Sequence, residues 1–139
     1  MTAPELPPEL ERLVAAARRV RENAYAPYSG FKVGAAIEAA SGRVFAGANV
    51  ENASYGATLC AERAAVAQLI ASGERGIARV AVYSEGPELG MTCGVCRQVL
   101  FEHGEGAEVV VAGPSEVRRT SLARLLPEPI VFRPPRGAT

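Results

Sequence analysis

The chain of 139 residues is poor in several features, and each shortage excludes a class of protein. Its 15 basic and 15 acidic residues cancel, which disfavours nucleic-acid binding by bulk charge, although a local basic groove is compatible with this balance. Its longest apolar runs, such as residues 64–67 and 109–112, are far too short to cross a bilayer. Residues 1–5 lack the basic and apolar segments of an export signal. We therefore expect a cytoplasmic protein that binds neither membranes nor nucleic acid.

Cysteine and histidine are also scarce. There are three cysteines, Cys60, Cys93 and Cys96, and one histidine, His103. An odd number of cysteines in an intracellular chain argues against a disulfide framework and favours metal binding or catalysis. A four-ligand structural zinc site would need a fourth ligand, and we expect His103 to be a solvent-exposed residue at a helix end instead. A redox Cys-x-x-Cys pair is a second alternative, but it leaves Cys60 and Glu62 without a role.

The periodicity of the apolar residues predicts one domain over residues 1–139, with irregular tails at 1–8 and 128–139. The predicted helices cover approximately residues 8–23, 60–72, 93–103 and 121–126, and the predicted strands cover approximately 31–39, 43–51, 77–83, 107–112 and 116–120. A hairpin followed by alternating helices and strands predicts a mixed sheet with helices on both faces. The second helix is apolar almost all round, which predicts that it is buried. Gly34 and Gly47 lie inside strands and indicate bulges or close approaches of another group.

The cysteines lie at positions that favour the reactive thiolate form, because both clusters fall at the predicted start of a helix. A helix N-terminus carries partial positive charge, which favours the thiolate form. Cys93 and Cys96 can face one point from a first helical turn, and Cys60 would come from the neighbouring helix start. Three such ligands fit zinc with a fourth position left for water. Glu62 could reach that water without binding the metal, as a proton shuttle requires.

Charge balance makes a further demand on this site. Three thiolates and Zn²⁺ sum to a net negative charge, so we predict that the guanidinium group of Arg63 or Arg97 hydrogen-bonds a thiolate. Nucleobase deaminases combine zinc, a Pro-Cys-x-x-Cys segment and a glutamate that is not a ligand. This chain has Thr92 in place of the proline, and we predict that the Thr92 hydroxyl caps the third helix.

Five segments resemble the small cytidine deaminase family, over a match that runs from about residue 24 to residue 126. They are YAPYSGFKVGAA at residues 25–36, GANVENASY at 47–55, CAER at 60–63, CGVCRQ at 93–98 and LLP at 125–127. The resemblance implies a three-layer α/β/α sandwich with a mixed sheet of about five strands. It also implies one Zn²⁺ per subunit, a small nucleoside substrate and a homotetramer with shared active sites.

The resemblance assigns roles residue by residue. Cys60, Cys93 and Cys96 correspond to the zinc ligands, Glu62 to the proton shuttle, and Arg63 to the arginine that compensates thiolate charge. The implied substrate contacts are Phe31 at the pyrimidine, Asn49 and Glu51 at the ribose hydroxyl groups, and the Ala61 backbone at the polar edge of the base, and Val50 is also counted among the substrate-binding residues. Tyr55 corresponds to a residue near a neighbouring subunit's site. The family often has a phenylalanine where this chain has Ile130, so either Phe132 replaces it after a local shift or the contact is aliphatic.

The implied activity is the hydrolytic deamination of cytidine and 2′-deoxycytidine in pyrimidine salvage, with release of ammonia. Two alternatives belong beside it. One is a deaminase of another aminated ring, such as blasticidin S or a base within a nucleic acid. The other is a non-catalytic, zinc-stabilised interaction domain.

Overall fold

The structure, a computed structural model, describes residues 5–133. Its helices are α1 (Pro8–Arg21), α2 (Ala61–Ala71), α3 (Gly94–His103) and α4 (Leu122–Leu125), and its strands are β1 (Val33–Ala39), β2 (Val44–Ala48), β3 (Ile77–Ser84), β4 (Glu108–Ala112) and β5 (Val117–Ser121). A short 3₁₀ helix, Tyr55–Ala57, lies between β2 and α2. None of the described helices combines the length and apolar composition that a membrane span requires.

Every predicted helix and strand is present, in the predicted order. The main differences are at the ends of β1 and β2, which are shorter than predicted because Phe31 and residues 49–51 leave the ladder to form loops. The first helix begins at Pro8, as predicted, so the irregular tail ends before this residue. Proline fits there because the first helical N–H groups have no partner within the helix. Residues 1–4 and 134–139 of the predicted tails lie outside the described residues.

The five strands form one mixed sheet in the order β2-β1-β3-β4-β5. The pair β3 and β4 is parallel, and the pairs β2–β1, β1–β3 and β4–β5 are antiparallel. Helix α3 makes the crossover between the two parallel strands, as such a connection requires. The predicted mixed sheet is confirmed.

Helices cover both faces of this sheet and give it two separate cores. On one face, α1 packs through Leu10, Leu13 and Ala17 against a cluster that includes Tyr83 and Val110. The opposite face carries α2, α3 and α4 over a larger cluster of mostly Val, Leu and Ile side chains from the central strands. The strand β3 is buried on both sides, as its continuous apolar sequence predicts. The fold is therefore the expected three-layer α/β/α sandwich.

Two glycines set the distance between the layers. A Cβ atom on Gly34 would lie 1.9 Å from the Ala17 carbonyl oxygen of α1, and one on Gly47 would lie 2.5 Å from the Ala65 nitrogen of α2. Both distances are far below van der Waals contact, so only glycine permits each helix to approach its strand this closely. The predicted close approach is confirmed at both positions.

The prediction that α2 is buried all round is wrong for the single chain. Its inner side, which includes Ala65, Val66 and Leu69, is buried against the sheet. Its outer side leaves Ala67, Gln68 and Ala71 exposed. The physical reason is that a helix lying on a sheet is covered on one side only, and none of the described residues 5–133 forms a further layer over α2.

The strand register brings several chain segments to one edge of the sheet. Val33 at the start of β1 lies opposite Ser84 at the end of β3, and Gly34 lies opposite Ala48 at the end of β2. The loop that contains Phe31, the segment 49–51 and the loop after β3 therefore leave the sheet side by side. This edge carries the site described below.

We predict that Gly34→Ala lowers the free energy of unfolding by about 3 kcal/mol, because α1 has to move away from β1 to make room for a methyl group. Chemical denaturation measures the change. Gly106→Ala is the matched control, since a Cβ atom there meets no atom within 4 Å. Equal stability of the two variants would contradict the close approach of α1.

Candidate active site and metal centre

Cys60 and Cys93 occupy equivalent places in the fold. Each is the residue immediately before a helix, Cys60 before α2 and Cys93 before α3, and each has extended backbone geometry. The Cys93 sulfur accepts a hydrogen bond from the Cys96 backbone nitrogen at 3.4 Å, so the sulfur caps its own helix. This arrangement confirms the prediction that the cysteines lie at helix starts, where the helix dipole favours negative charge.

The three sulfur atoms meet in one cluster. The Cys60 and Cys93 sulfurs are 3.9 Å apart, and all three sulfurs, including that of Cys96, lie within 4.8 Å of one another. A tetrahedral zinc site with Zn–S bonds of about 2.3 Å separates its sulfurs by about 3.8 Å. The donor set and its spacing therefore fit a zinc ion. Among the described residues, the cluster consists of these three cysteines, and His103 does not supply a fourth ligand.

His103 is the last residue of α3. It was predicted to be solvent-exposed, but the structure shows that it is partly buried. It packs near the C-terminal segment, where it lines a separate cavity of about 330 Å³ with Phe101 and Phe132.

The thiols influence one another even without a metal ion. Hydrogen bonding from the Cys96 thiol, helped by Arg63, lowers the pKa of Cys60 to about 5. The same interaction, together with burial, raises the pKa of Cys96. The lowered pKa favours the thiolate form of Cys60, which is the form that binds zinc.

The predicted arginine contact is present, and Arg63 makes it. Its Nη2 atom lies 3.5 Å from the Cys60 sulfur and donates a hydrogen bond to the Thr58 carbonyl oxygen at 3.2 Å. Arg97 has a different task, because it donates to the carbonyl oxygens of Thr92 and Leu125 at 2.9 and 3.0 Å. Of the two candidates, Arg63 is therefore the one beside a thiolate.

The predicted capping role of Thr92 is wrong. Cys93 caps α3 instead, and the Thr92 hydroxyl accepts a hydrogen bond from Arg97 Nε at 3.3 Å. Thr92 is 3% exposed, so its hydroxyl needs a partner inside the protein, and Arg97 supplies one.

Glu62 lies in the first turn of α2, next to the sulfur cluster, and is 4% exposed. Burial raises the pKa of its carboxyl group above the usual range, and negative charge on Cys60 raises it further. A buried carboxyl group with a raised pKa holds a proton more readily than an exposed one and can release it again to a nearby acceptor. This is the behaviour expected of a proton shuttle.

A cavity of about 260 Å³ opens beside the cluster. Its lining consists of Ser29, Phe31, Val33, Asn49, Glu51, Thr58, Cys60, Ala61, Glu62, Val82, Gly90, Met91 and Cys93. One cavity is thus lined by two of the cysteines, by Glu62 and by Asn49 and Glu51. A second cavity of about 290 Å³ shares Ser29, Glu51 and Thr58 with it and includes Tyr55.

Asn49 supports the loop before β1 and also faces the cavity. Its Oδ1 atom accepts a hydrogen bond from the Val33 nitrogen at 2.8 Å, and its Nδ2 atom donates to the Phe31 carbonyl oxygen at 2.9 Å. The side-chain amide of asparagine has two N–H donors, so one donor remains for a ligand.

Glu51 is held by the same loop. Its Oε1 atom accepts hydrogen bonds from the backbone nitrogens of Tyr28 and Ser29 at 2.9 and 3.1 Å, and its Oε2 atom accepts one from the Ser29 hydroxyl. The Ser29 hydroxyl is the main cause of a lowered pKa at Glu51. The carboxylate is therefore ionised at neutral pH and can accept a hydrogen bond from a ligand hydroxyl group.

Phe31 lines the same cavity as Cys60 and Cys93 and is 39% exposed. A Cβ atom on Gly86 would be 3.2 Å from the Phe31 ring, and one on Gly90 would be 3.4 Å away. The loop after β3 thus packs against the ring through two residues without side chains. This packing fixes the ring at the mouth of the cavity.

The other predicted residues lie further out in the single chain. Val50 is not part of the cavity lining, since its backbone pairs with Leu59 and its side chain is half exposed. Tyr55 is 75% exposed and packs edge-on against Tyr28. Phe132 and Ile130 are 69% and 74% exposed, and the Ile130 backbone is tied to the Gln98 side chain by two hydrogen bonds.

Ser29 lines both cavities, and no role for it was predicted from the sequence. The loop composition contained a partial signal, because a serine in a loop can bond its neighbours' backbone. The Ser29 hydroxyl indeed accepts a hydrogen bond from the Phe31 nitrogen at 3.0 Å. Its second partner, Glu51, is 22 residues away in sequence, and nothing local predicts that contact.

Comparison with known proteins agrees with this geometry. Residues 7–113 match the family model for the cytidine and deoxycytidylate deaminase zinc-binding region. A cytidine deaminase of Mycobacterium tuberculosis is 50% identical over 113 residues, which are 81% of this chain and 82% of that protein. A cytidine deaminase of Sporosarcina psychrophila is 40% identical over 123 residues, covering 86% and 89% of the two chains.

A solved structure supports the same relationship. The crystal structure of cytidine deaminase from Burkholderia pseudomallei superposes with a TM-score of 0.83 at 48% sequence identity, over 86% of this chain and 98% of that chain. With three thiols spaced for zinc, a buried glutamate beside them and relatives that align over most of their length, the chain belongs to the cytidine and deoxycytidylate deaminase family.

Proposed function

We propose that the chain catalyses the hydrolytic deamination of cytidine and 2′-deoxycytidine to uridine and 2′-deoxyuridine, with release of ammonia. The observation that carries this proposal is one cavity that combines a zinc-type sulfur cluster and a buried carboxyl group with hydrogen-bonding groups for a sugar. The base of a nucleoside would face the sulfur cluster and the buried carboxyl group, and its sugar would face the hydrogen-bonding groups.

Cys60, Cys93 and Cys96 hold one Zn²⁺ ion per subunit in this proposal. When bound, zinc lowers the pKa of water and so makes a nucleophile available near neutral pH. Arg63 offsets the negative charge of the thiolates through its contact with the Cys60 sulfur. The two helix N-termini act in the same direction.

Glu62 moves the protons. Its carboxylate takes a proton from the attacking water and carries it to N3 of the cytosine ring. It then takes the second proton from the new hydroxyl group on C4 and delivers it to the amine, which departs as ammonia. The raised pKa of Glu62 suits this exchange, because neither its acid nor its base form is too stable to react. Burial also keeps bulk water from competing for these protons.

Asn49 and Glu51 orient the sugar. The free Nδ2 donor of Asn49 and the carboxylate of Glu51 can both engage one hydroxyl group, which donates to Glu51 and accepts from Asn49. Phe31 packs against the pyrimidine, the Ala61 backbone contacts the polar edge of the base, and Val50 continues the sugar-binding segment. Holding the sugar places C4 of the base beside the sulfur cluster, which is catalysis by positioning.

The charge of the cavity favours nucleosides over phosphorylated substrates. Its described lining includes two carboxyl groups, Glu51 and Glu62, and no lysine or arginine. A phosphate group would therefore find no cation there, and a 3′-phosphate would face Glu51 directly. This argues against a base within a nucleic acid as substrate. The sugar-binding groups likewise favour a simple nucleoside over blasticidin S, and the buried Glu62 favours catalysis over a zinc-stabilised interaction domain.

We propose further that the chain is a single domain over residues 1–139 that assembles as a cytoplasmic homotetramer with shared active sites and serves pyrimidine salvage. The uncovered outer side of α2 supports assembly, because it exposes alanines that another subunit can cover. Tyr55 and Phe132 are exposed aromatic side chains available for contacts with neighbouring subunits. The first of these already lines a cavity with Glu51.

We expect the purified protein to release ammonia from cytidine and 2′-deoxycytidine and to leave CMP and a cytosine-containing oligonucleotide unchanged. A spectrophotometric assay on all four compounds, with zinc content measured on the same sample, tests this. Zinc-loaded protein that releases no ammonia from any cytosine compound would contradict catalysis and support the interaction domain. Activity on the oligonucleotide would contradict the assignment of Glu51 to a free hydroxyl group.

Glu62→Gln should retain zinc and lose about a thousandfold in kcat, because the amide cannot accept and return a proton. Metal analysis and steady-state kinetics measure the two properties separately. Glu102→Gln on the exposed side of α3 is the control for a change of charge alone. Near-normal turnover of Glu62→Gln would remove Glu62 from the mechanism.

Arg63→Ala should weaken zinc binding by about tenfold or more, because the Cys60 thiolate loses its hydrogen-bonding cation. Competition with a coloured chelator measures the affinity. Arg75→Ala is the matched control, since Arg75 lies just past the end of α2 and bonds only carbonyl oxygens within the described residues. An unchanged affinity in Arg63→Ala would show that the helix N-termini alone balance the thiolate charge.

A further inference from the structure

The Ser29 hydroxyl joins two groups that the proposed function assigns to the substrate. It donates a hydrogen bond to Glu51 Oε2 and accepts one from the Phe31 backbone nitrogen at 3.0 Å. The ionised carboxylate cannot donate, so the direction of the first bond is fixed. One exposed hydroxyl group thus connects the carboxylate that faces the sugar with the residue that faces the base.

The hydrogen bonds to Glu51 leave it little freedom. A carboxylate has about four acceptor positions. Two on Oε1 are taken by the backbone nitrogens of Tyr28 and Ser29, and one on Oε2 is taken by the Ser29 hydroxyl. The remaining position lies on Oε2, the same oxygen that Ser29 holds.

We propose that Ser29 is a positioning residue that sets the orientation of Glu51, leaves one acceptor position for a single substrate hydroxyl group, and couples it to the placement of Phe31. The inference rests on the proposed function for the identity of the substrate. Ser29 itself needs no contact with the reacting atoms. Without its hydroxyl group, Oε2 has two free positions and the carboxylate can rotate about its last bond.

Kinetics with paired substrates separate positioning from a general structural effect. Ser29→Ala should lower kcat/KM for cytidine about tenfold, mainly through KM, because the lost bond is to a charged group used in binding. For 3′-deoxycytidine, which lacks the hydroxyl group that Glu51 accepts from, the same change should have less than a twofold effect. In a Glu51→Gln background, Ser29→Ala should add no further loss.

Two more variants complete the test. Ser29→Thr keeps the hydroxyl group and should restore most of the activity on cytidine. Ser41→Ala removes another exposed serine–glutamate hydrogen bond, the 2.8 Å contact with Glu74, far from the cavity, and should behave as wild type. An equal loss on cytidine and 3′-deoxycytidine in Ser29→Ala would overturn the proposal, and so would no loss on either.

A second measurement does not depend on activity. With ¹³C-labelled glutamate, NMR titration of Ser29→Ala should show that the pKa of Glu51 rises, because the hydroxyl group that favours the ionised carboxylate is gone. An unchanged Glu51 titration overturns the proposed coupling, whatever the enzyme does. If the wild-type protein fails to deaminate cytidine, the proposed function falls, and this titration still decides whether Ser29 controls Glu51.

Discussion

The whole site depends on two helices beginning at the same point. Cys60 and Cys93 directly precede helices α2 and α3, Cys96 lies in the first turn of α3, and their three sulfur atoms lie within 4.8 Å of one another. This convergence needs α2 to lie close on β2, which Gly47 allows, and α3 to cross between the parallel strands β3 and β4. The groups proposed to bind substrate, which lie next to the start of β1 and the end of β2, can serve catalysis because they line the same cavity as the sulfurs.

The two glutamates that line the cavity, Glu62 and Glu51, have different electrostatic surroundings. Around the sulfurs, Arg63 and the helix N-termini supply positive potential, while Glu62 is buried deeply enough for its pKa to rise. In contrast, Glu51 accepts three hydrogen bonds from the loop before β1, and its pKa falls. Two glutamates in one cavity are therefore suited to different chemistry, one to proton transfer and the other to binding as an anion.

Sequence patterns predicted the order of the elements, the mixed sheet and the sulfur cluster, because apolar periodicity and cysteine spacing are local signals. They failed where the outcome depends on distant partners. Thr92 was predicted to cap α3, but its hydroxyl oxygen accepts a hydrogen bond from the Arg97 guanidinium group. The Cys93 sulfur caps the helix instead. The exposed side of α2 was missed because its sequence does not show how much of the helix a single chain can cover. The link from Ser29 to Glu51 joins residues that only the folded loop brings together.

Asn49 uses two of its hydrogen bonds to hold the backbone at Phe31 and Val33, so the amide group proposed to bind the sugar also supports the loop. The pocket is consequently assembled before any ligand arrives, and little conformational entropy is left to lose on binding. The double role of Asn49 limits which substitutions the cavity can accept. A change of sugar preference has to be sought in the neighbours of Asn49, because replacing this side chain would release the aromatic ring together with the sugar.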